Sequence, residues 1–222
     1  MAYQIELVED DDFSYIVPGL FEAMGNDYEF MNVLYPGHHT PAGQSKIASR
    51  FCALKNASAK GKWLKAVEIA TGKIVGFAMW TVIDEEKPPE KELDGPPGTW
   101  PSEEEKRYCR ELHRALLVDR RREIRENDLP IMMLNMMAVF PQYQRRGIGK
   151  LLMDWGLDLA DKMQALCILE GTLPGKRLYL KGGFIVQRDF YLDAGEEFAG
   201  RPRDHVVFMV RPRPVKAITD AN

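Results

Sequence analysis

A nearly unbroken apolar run, Ile131-Met132-Met133-Leu134-Asn135-Met136-Met137-Ala138-Val139, leads into a turn containing Gly147 and Gly149 and then into a helix-spaced apolar stripe. The segment Pro130 to Val139 reads as a strand covered on both faces, because a strand with one wet face alternates apolar and polar side chains. Ile148, Leu151, Leu152, Trp155, Leu159 and Met163 then recur on one side of a helix, and Ala165 to Leu169 supplies a second apolar strand. A helical crossover of this length lets the two strands pair in parallel, and such a pair has to be buried beneath helices. The chain must therefore build an α/β layer around this strand–helix–strand unit.

The remaining segments supply further layers. Ile5 to Val8 reads as a short strand, and Phe13, Ile16, Val17, Leu20, Phe21 and Met24 recur at helical spacing. Pro18 conflicts with an unbroken helix there, which predicts either a kink or a helix that effectively begins near Pro18, ending by Gly25 in both cases. An aromatic loop from Tyr28 to His39 precedes a helix over Pro41 to Ala59. Trp63 to Ile69 and Lys73 to Ile83 read as an antiparallel pair joined by Ala70-Thr71-Gly72, whose glycine suits a tight hairpin. Asp84 to Pro101 holds too many prolines and glycines for regular structure and reads as a surface loop. Ser102 and Glu105 form a capping-box pattern that opens a charged helix to about Asn127, with a thin apolar stripe at Tyr108, Leu112 and Leu116. A short helix over Pro174 to Lys181 and strands near Phe184 to Tyr191 and His205 to Val210 complete the set. One domain over residues 1–222, with an inserted loop and helix at about 84–128, is the expected organisation.

Composition narrows the class of partner. Thirty basic against thirty-three acidic residues give a formal charge of −3, too balanced for the large positive field of a nucleic-acid binder. The chain shows no leader-like apolar run near Met1 and no stretch long enough for a membrane span, so a cytoplasmic protein without membrane contact is expected. Cys52, Cys109 and Cys167 lack the spacing of zinc ligands or a disulfide framework, and the adjacent His38 and His39 lack further ligands, so no metal site is expected.

The segment Ala138-Val139-Phe140-Pro141-Gln142-Tyr143-Gln144-Arg145-Arg146-Gly147-Ile148-Gly149-Lys150-Leu151-Leu152 has the context for anion capture. Glycines at 147 and 149 leave room for close approach, and the amides at a helix start can surround a pyrophosphate. Arg145, Arg146 and Lys150 add positive charge. A dinucleotide loop would need glycine or alanine where Leu152 stands, and a P-loop would need glycine at Gln144 and a hydroxyl residue at Leu151. Judged on G-x-G alone, glycines that serve only tight packing remain an open alternative.

The flanks are more specific. Gln144-x-x-Gly147-x-Gly149, after Ala-Val-x-Pro and before a Leu-Leu helix, resembles the acetyl-CoA motif Q/R-x-x-G-x-G/A of the GNAT superfamily of N-acetyltransferases, in particular its small-molecule members. Lys73-Ile74-Val75-Gly76-Phe77-Ala78 is similar to that family's third strand, and Leu178-Tyr179-Leu180-Lys181-Gly182-Gly183-Phe184 to its L-Y-x-x-x-G-F segment. The resemblance implies a mixed, twisted, mostly antiparallel sheet of about six to seven strands flanked by helices, with a parallel central pair splayed apart. Coenzyme A's pantetheine arm would lie in that opening against Met137, Ala138 and Val139, and its pyrophosphate would meet Gln144, Arg145, Arg146, Gly147, Ile148, Gly149 and Lys150.

The same resemblance assigns Tyr179 as the acid that protonates the departing thiolate, with a packing tyrosine as the alternative. It also places a backbone N–H near Met137, freed by a strand bulge, as the donor that polarises the thioester carbonyl. No general base stands out; Glu68, Glu170 and His38 are candidates beside ordered water. Thr172 stands where many relatives have asparagine. Acceptor specificity would come from Asp27 to His39, through Tyr28, Glu29, Phe30 and Tyr35, and from Phe190 to Arg203, or the aromatics of the first segment cap the core. The implied activity is acetyl transfer from acetyl-CoA to the primary amine of a small molecule, by a monomer or homodimer. The alternatives are a protein or peptide acetyltransferase and a non-catalytic acyl-CoA-binding module.

Overall fold

The structure, a computed structural model, describes residues 2–25 and 28–214. In chain order the elements are β1 (Tyr3–Leu7), α1 (Phe13–Met24), α2 (Glu29–Leu34), α3 (Pro41–Ala57), β2 (Gly61–Glu68), β3 (Lys73–Ile83), α4 (Glu103–Glu126), β4 (Ile131–Val139), α5 (Ile148–Met163), β5 (Leu166–Thr172), α6 (Leu173–Lys181), β6 (Ile185–Tyr191) and β7 (His205–Arg211). The strands form one seven-stranded sheet in the order β1-β2-β3-β4-β5-β7-β6. Only β4 and β5 run parallel; every other neighbouring pair is antiparallel. No described helix is long and apolar enough to cross a membrane.

Each face of the sheet carries its own core. Phe13, Leu20, Phe51, Trp63, Phe77 and Tyr108 bring α1, α3 and the first half of α4 onto one face. Leu64, Trp80, Met132, Leu152, Cys167 and Met209 join α5 to the other. The Pro130 to Val139 run is covered on both sides, as its composition requires.

The helix containing Pro18 neither starts there nor stops there: α1 runs from Phe13 to Met24 with Pro18 inside. An interior proline costs about 3 kcal/mol. Phe13, Ile16, Val17, Leu20 and Phe21 are all buried, each gaining roughly 1.5–3 kcal/mol, so the packed face outweighs the lost hydrogen bond. The aromatic loop also differs from expectation, because Glu29–Leu34 is helical. Its first amides are satisfied from a distance: Glu29 N and Phe30 N donate to the Asp204 carboxylate at 3.0 and 2.7 Å. The charged helix begins where its cap predicts, with Glu105 N donating to Ser102 Oγ at 3.1 Å.

The central pair opens midway. β4 and β5 pair from Ile131 with Leu166 to Leu134 with Leu169, and no further. Beyond that point β4 stays on β3 while Glu170, Gly171 and Thr172 pair with β7. The two strands therefore diverge into a V.

Candidate active site

The V continues into a cavity of about 690 Å³. Met137, Ala138 and Val139 line one wall from β4, and Glu170 and Thr172 line the other from β5. The register between β3 and β4 skips from Met79 opposite Met136 to Trp80 opposite Leu134, so Asn135 is the bulged residue. The bulge thus lies before Met137 in the chain rather than at it. An extra residue at a strand bend frees backbone groups and re-aims a side chain, which here points Asn135 into the cavity.

At one end the cavity meets the loop before α5. Arg145 takes a left-handed conformation at φ +63° and Gly147 takes φ +84° at the N-cap. These turns aim the start of a sixteen-residue helix at the cavity, and no side chain caps that start. Gln144 ties the loop back to the end of β4, since its Nε2 donates to the Val139 carbonyl at 3.1 Å. Gln144, Arg145, Gly147, Ile148, Gly149 and Lys150 all line the cavity. Arg146 does not; its guanidinium lies over the Tyr143 ring, 5.3 Å from the centroid. Arg177 and Lys181 of α6 add two cations to the lining that local pattern reading did not select.

Tyr179 lines the same cavity and is 7% exposed. Burial alone pushes its phenol up to about 12, so it is protonated across the physiological range. Tyr28 and Phe30 also line the cavity, beside Ala23, Met24, Met31, Leu116 and Leu192, which make this end apolar. Burial, then the neighbouring Asp204 and Tyr179, raise the Tyr28 phenol above its usual range.

Two of the expected acceptor residues lie elsewhere. Tyr35 is core, with its ring against Phe21 and Phe51 at 5.6 and 5.7 Å. Glu29 does not line the cavity; burial raises its carboxyl while the hydrogen-bonded Tyr108 and nearby Arg201 oppose the shift. Asp27 lies outside the described residues.

Of the three candidate bases only Glu170 reaches the cavity. Glu68 accepts a hydrogen bond from Thr71 Oγ1 at 2.6 Å, and His38 is buried against Phe21 with its Nδ1 3.0 Å from the Tyr35 carbonyl. Glu170 is itself held by Arg120 of α4, whose Nε donates to Oε1 at 3.1 Å while Nη2 contacts Oε2. Arg120 Nη1 also donates to Asn135 Oδ1 at 2.8 Å. Arg120 and Asn135 were missed because nothing local separates one arginine in a charged helix from its neighbours, or marks an asparagine as a bulge. Among the described residues no group of three or more His, Cys, Asp or Glu side chains is gathered to hold a metal.

The description "Acetyltransferase (GNAT) domain" belongs to a family model that matches residues 107–186, from near the start of α4 through the glycine loop before α5 to the start of β6. A probable acyltransferase, SID5, of Ajellomyces capsulatus is 51% identical over 41 residues, which span 18% of this chain and 30% of that protein. A structure named for an arylalkylamine N-acetyltransferase 7 of the yellow fever mosquito Aedes aegypti shares the fold at TM-score 0.65 and 14% identity, over 94% of this chain and 86% of the other. A structure described as histone acetyltransferase HPA2 and related acetyltransferase, from Corynebacterium glutamicum, superposes at TM-score 0.59 and 19% identity over 98% and 100% of the two chains. The family model thus covers the parallel pair splayed at Leu134 and Leu169 and the glycine loop aimed into the gap, and the two solved structures share the fold of nearly the whole chain.

Proposed function

We propose that the protein transfers an acetyl group from acetyl-CoA to the primary amine of a small molecule with an apolar body. One observation carries the reading: a single cavity joins the α5 start, the free edge of β4, a buried phenol and an apolar end. The residues present fit acetyl-CoA. The helix start and the cations Arg145, Lys150, Arg177 and Lys181 suit its phosphates, and unpaired backbone along β4 suits its pantetheine amides, much as a peptide adds to a sheet edge.

Acetyl-CoA supplies a thioester carbon to the amine nitrogen; the N–C bond forms as the C–S bond breaks. Each change leaves a charge that the site has to balance. Tyr179 holds a proton at Oη and can give it to the leaving thiolate, which its elevated pKa permits because the phenol stays neutral until then. The acceptor's surplus proton leaves through water, since both carboxylate oxygens of Glu170 are already engaged by Arg120. That same pairing leaves the acceptor end without net charge, so recognition there rests on Tyr28, Phe30, Met31 and Leu116. The similarity in fold to a protein named as an arylalkylamine acetyltransferase agrees with this preference.

Thiol release measured over a panel of arylalkylamines, polyamines and lysine peptides tests the proposal. Turnover is expected with the first group. Preference for peptides would favour protein acetylation, and binding of acetyl-CoA without any turnover would favour a non-catalytic module.

A further inference from the structure

The inserted helix α4 reaches across the sheet where the sheet comes apart. Its consecutive residues Asp119 and Arg120 are tied to strands on both sides of the opening. Asp119 is 4% exposed and accepts from Arg188 of β6 at 3.1 Å, while Arg122, one turn on, pairs with its other oxygen at 2.8 Å. Arg120 grips Glu170 on β5 with two nitrogens and Asn135 on β4 with the third. Asn135 in turn donates from Nδ2 to Thr81 Oγ1 of β3 at 2.8 Å. Glu170 and Asn135 are the first residues past the last β4–β5 pair, Leu134 with Leu169. At the point where backbone hydrogen bonds between these strands end, one guanidinium replaces them.

Resting on the acetyl-CoA reading above, we propose that Arg120 is a positioning residue: a strap from α4 that fixes the width of the V and so the place of the pantetheine arm along β4. A guanidinium suits this work because its donors form a rigid planar fork, which sets both distance and angle between the groups it joins. The Arg120 and Glu170 side chains are only 14% and 4% exposed, so solvent does little to loosen the grip. The phosphate-binding end lies beyond Val139, outside the strap's reach, and keeps its own geometry through Gln144 and Val139.

The test separates these two ends of the ligand. Arg120→Met alone would strand a buried carboxylate and could unfold the chain, so the informative variant is Arg120→Met/Glu170→Met, which removes both charges and retains bulk. Calorimetry on the full chain would compare acetyl-CoA with adenosine 3′-phosphate 5′-diphosphate, which has the diphosphate and no pantetheine. The strap requires acetyl-CoA affinity to fall on the order of tenfold in the double variant while the nucleotide binds within about twofold of wild type. Unchanged acetyl-CoA affinity overturns it, and so does an equal loss for both ligands, which would mark Arg120 as a general fold residue. Wild-type protein that bound neither ligand would instead remove the acetyl-CoA reading and the strap's role with it.

Discussion

The ring of Tyr179 lies against the backbone of Gly171 so closely that a Cβ at 171 would stand 2.5 Å from Tyr179 Cε2. Gly175, one helical turn before the tyrosine, brings its own backbone equally near, with a Cβ there falling 2.8 Å from the phenol oxygen. Two bare backbones, one on β5 and one on α6, therefore set where the hydroxyl sits. Gly171→Ala should displace the ring and lower kcat on the order of tenfold or more, while leaving coenzyme A affinity near wild type. Tyr179→Phe should lower kcat by about 10²-fold or more with the same affinity, as expected for loss of a general acid. Steady-state kinetics under saturating amine, set beside calorimetry, would check both; an unchanged kcat in Tyr179→Phe removes the acid role.

The glycine loop before α5 makes a second prediction, about backbone rather than contact. Nothing lies within 4 Å of a Cβ built at Gly147, so an alanine there has room, yet its φ of +84° belongs to the left-handed region. Holding a β-carbon there costs about 1–2 kcal/mol, and asparagine tolerates it better than alanine. Gly147→Ala should weaken coenzyme A binding on the order of tenfold, and Gly147→Asn distinctly less. Equal losses in the two variants, measured by titration, would mean that side-chain bulk and not backbone conformation governs the loop.

The parts of this site legible in the chain are those whose cause is local. Gln144 to Lys150 could be read because the left-handed turn, the helix start and the flanking strand all lie within a short stretch, and β4 because an apolar run that long has few other uses. The capped start of α4 was legible for the same reason. What escaped depends on partners far along the chain. α2 forms because Asp204 receives its first amides, and Asp204 precedes β7. Tyr35 looked like Tyr28 in composition, but it turns into the core between Phe21 and Phe51. Arg120 acquires a role only when the topology sets Asn135 and Glu170 on opposite sides of the opening.

On the far face of the sheet, Gly156 of α5 lies directly over Trp80 of β3. A Cβ at 156 would come 2.1 Å from Trp80 Cε2, and the indole is wholly buried, so neither partner can swing aside. Alanine gains up to about 1 kcal/mol in helix propensity over glycine. Overpacking of this kind costs about 1–3 kcal/mol or more, and with so deep an overlap the steric term should win. Gly156→Ala is expected to lower stability by about 2 kcal/mol. Trp80→Phe in the same chain should recover part of that loss, because it removes the ring atoms in the way. Urea denaturation of the two single variants and the double gives the coupling directly; strict additivity would mean that the helix shifts to avoid the clash.

His113 makes stability depend on pH in a definite direction. Its imidazole, on α4, stacks on Phe30 of α2 at 6.5 Å and 15°. Burial first, and then Arg121 and Arg120, lower its pKa to about 4 from 6.5. Above pH 6.5 the ring is neutral in folded and unfolded chains alike, and the folded state keeps the full benefit. Between about 6.5 and 4 the unfolded chain takes up a proton that the folded chain refuses, so stability must fall as pH falls, by at most about 3 kcal/mol over the window. His113→Leu should flatten that decline. Because Glu29 and Asp204, whose carboxyls are raised by burial, titrate in both proteins, subtracting the variant's unfolding free energy from wild type's at pH 7, 5.5 and 4.5 isolates the histidine. If the difference stayed constant across the three pH values, the ring would have to be accepting its proton in the folded state, and Phe30 would then stack on a cation at the edge of the cavity.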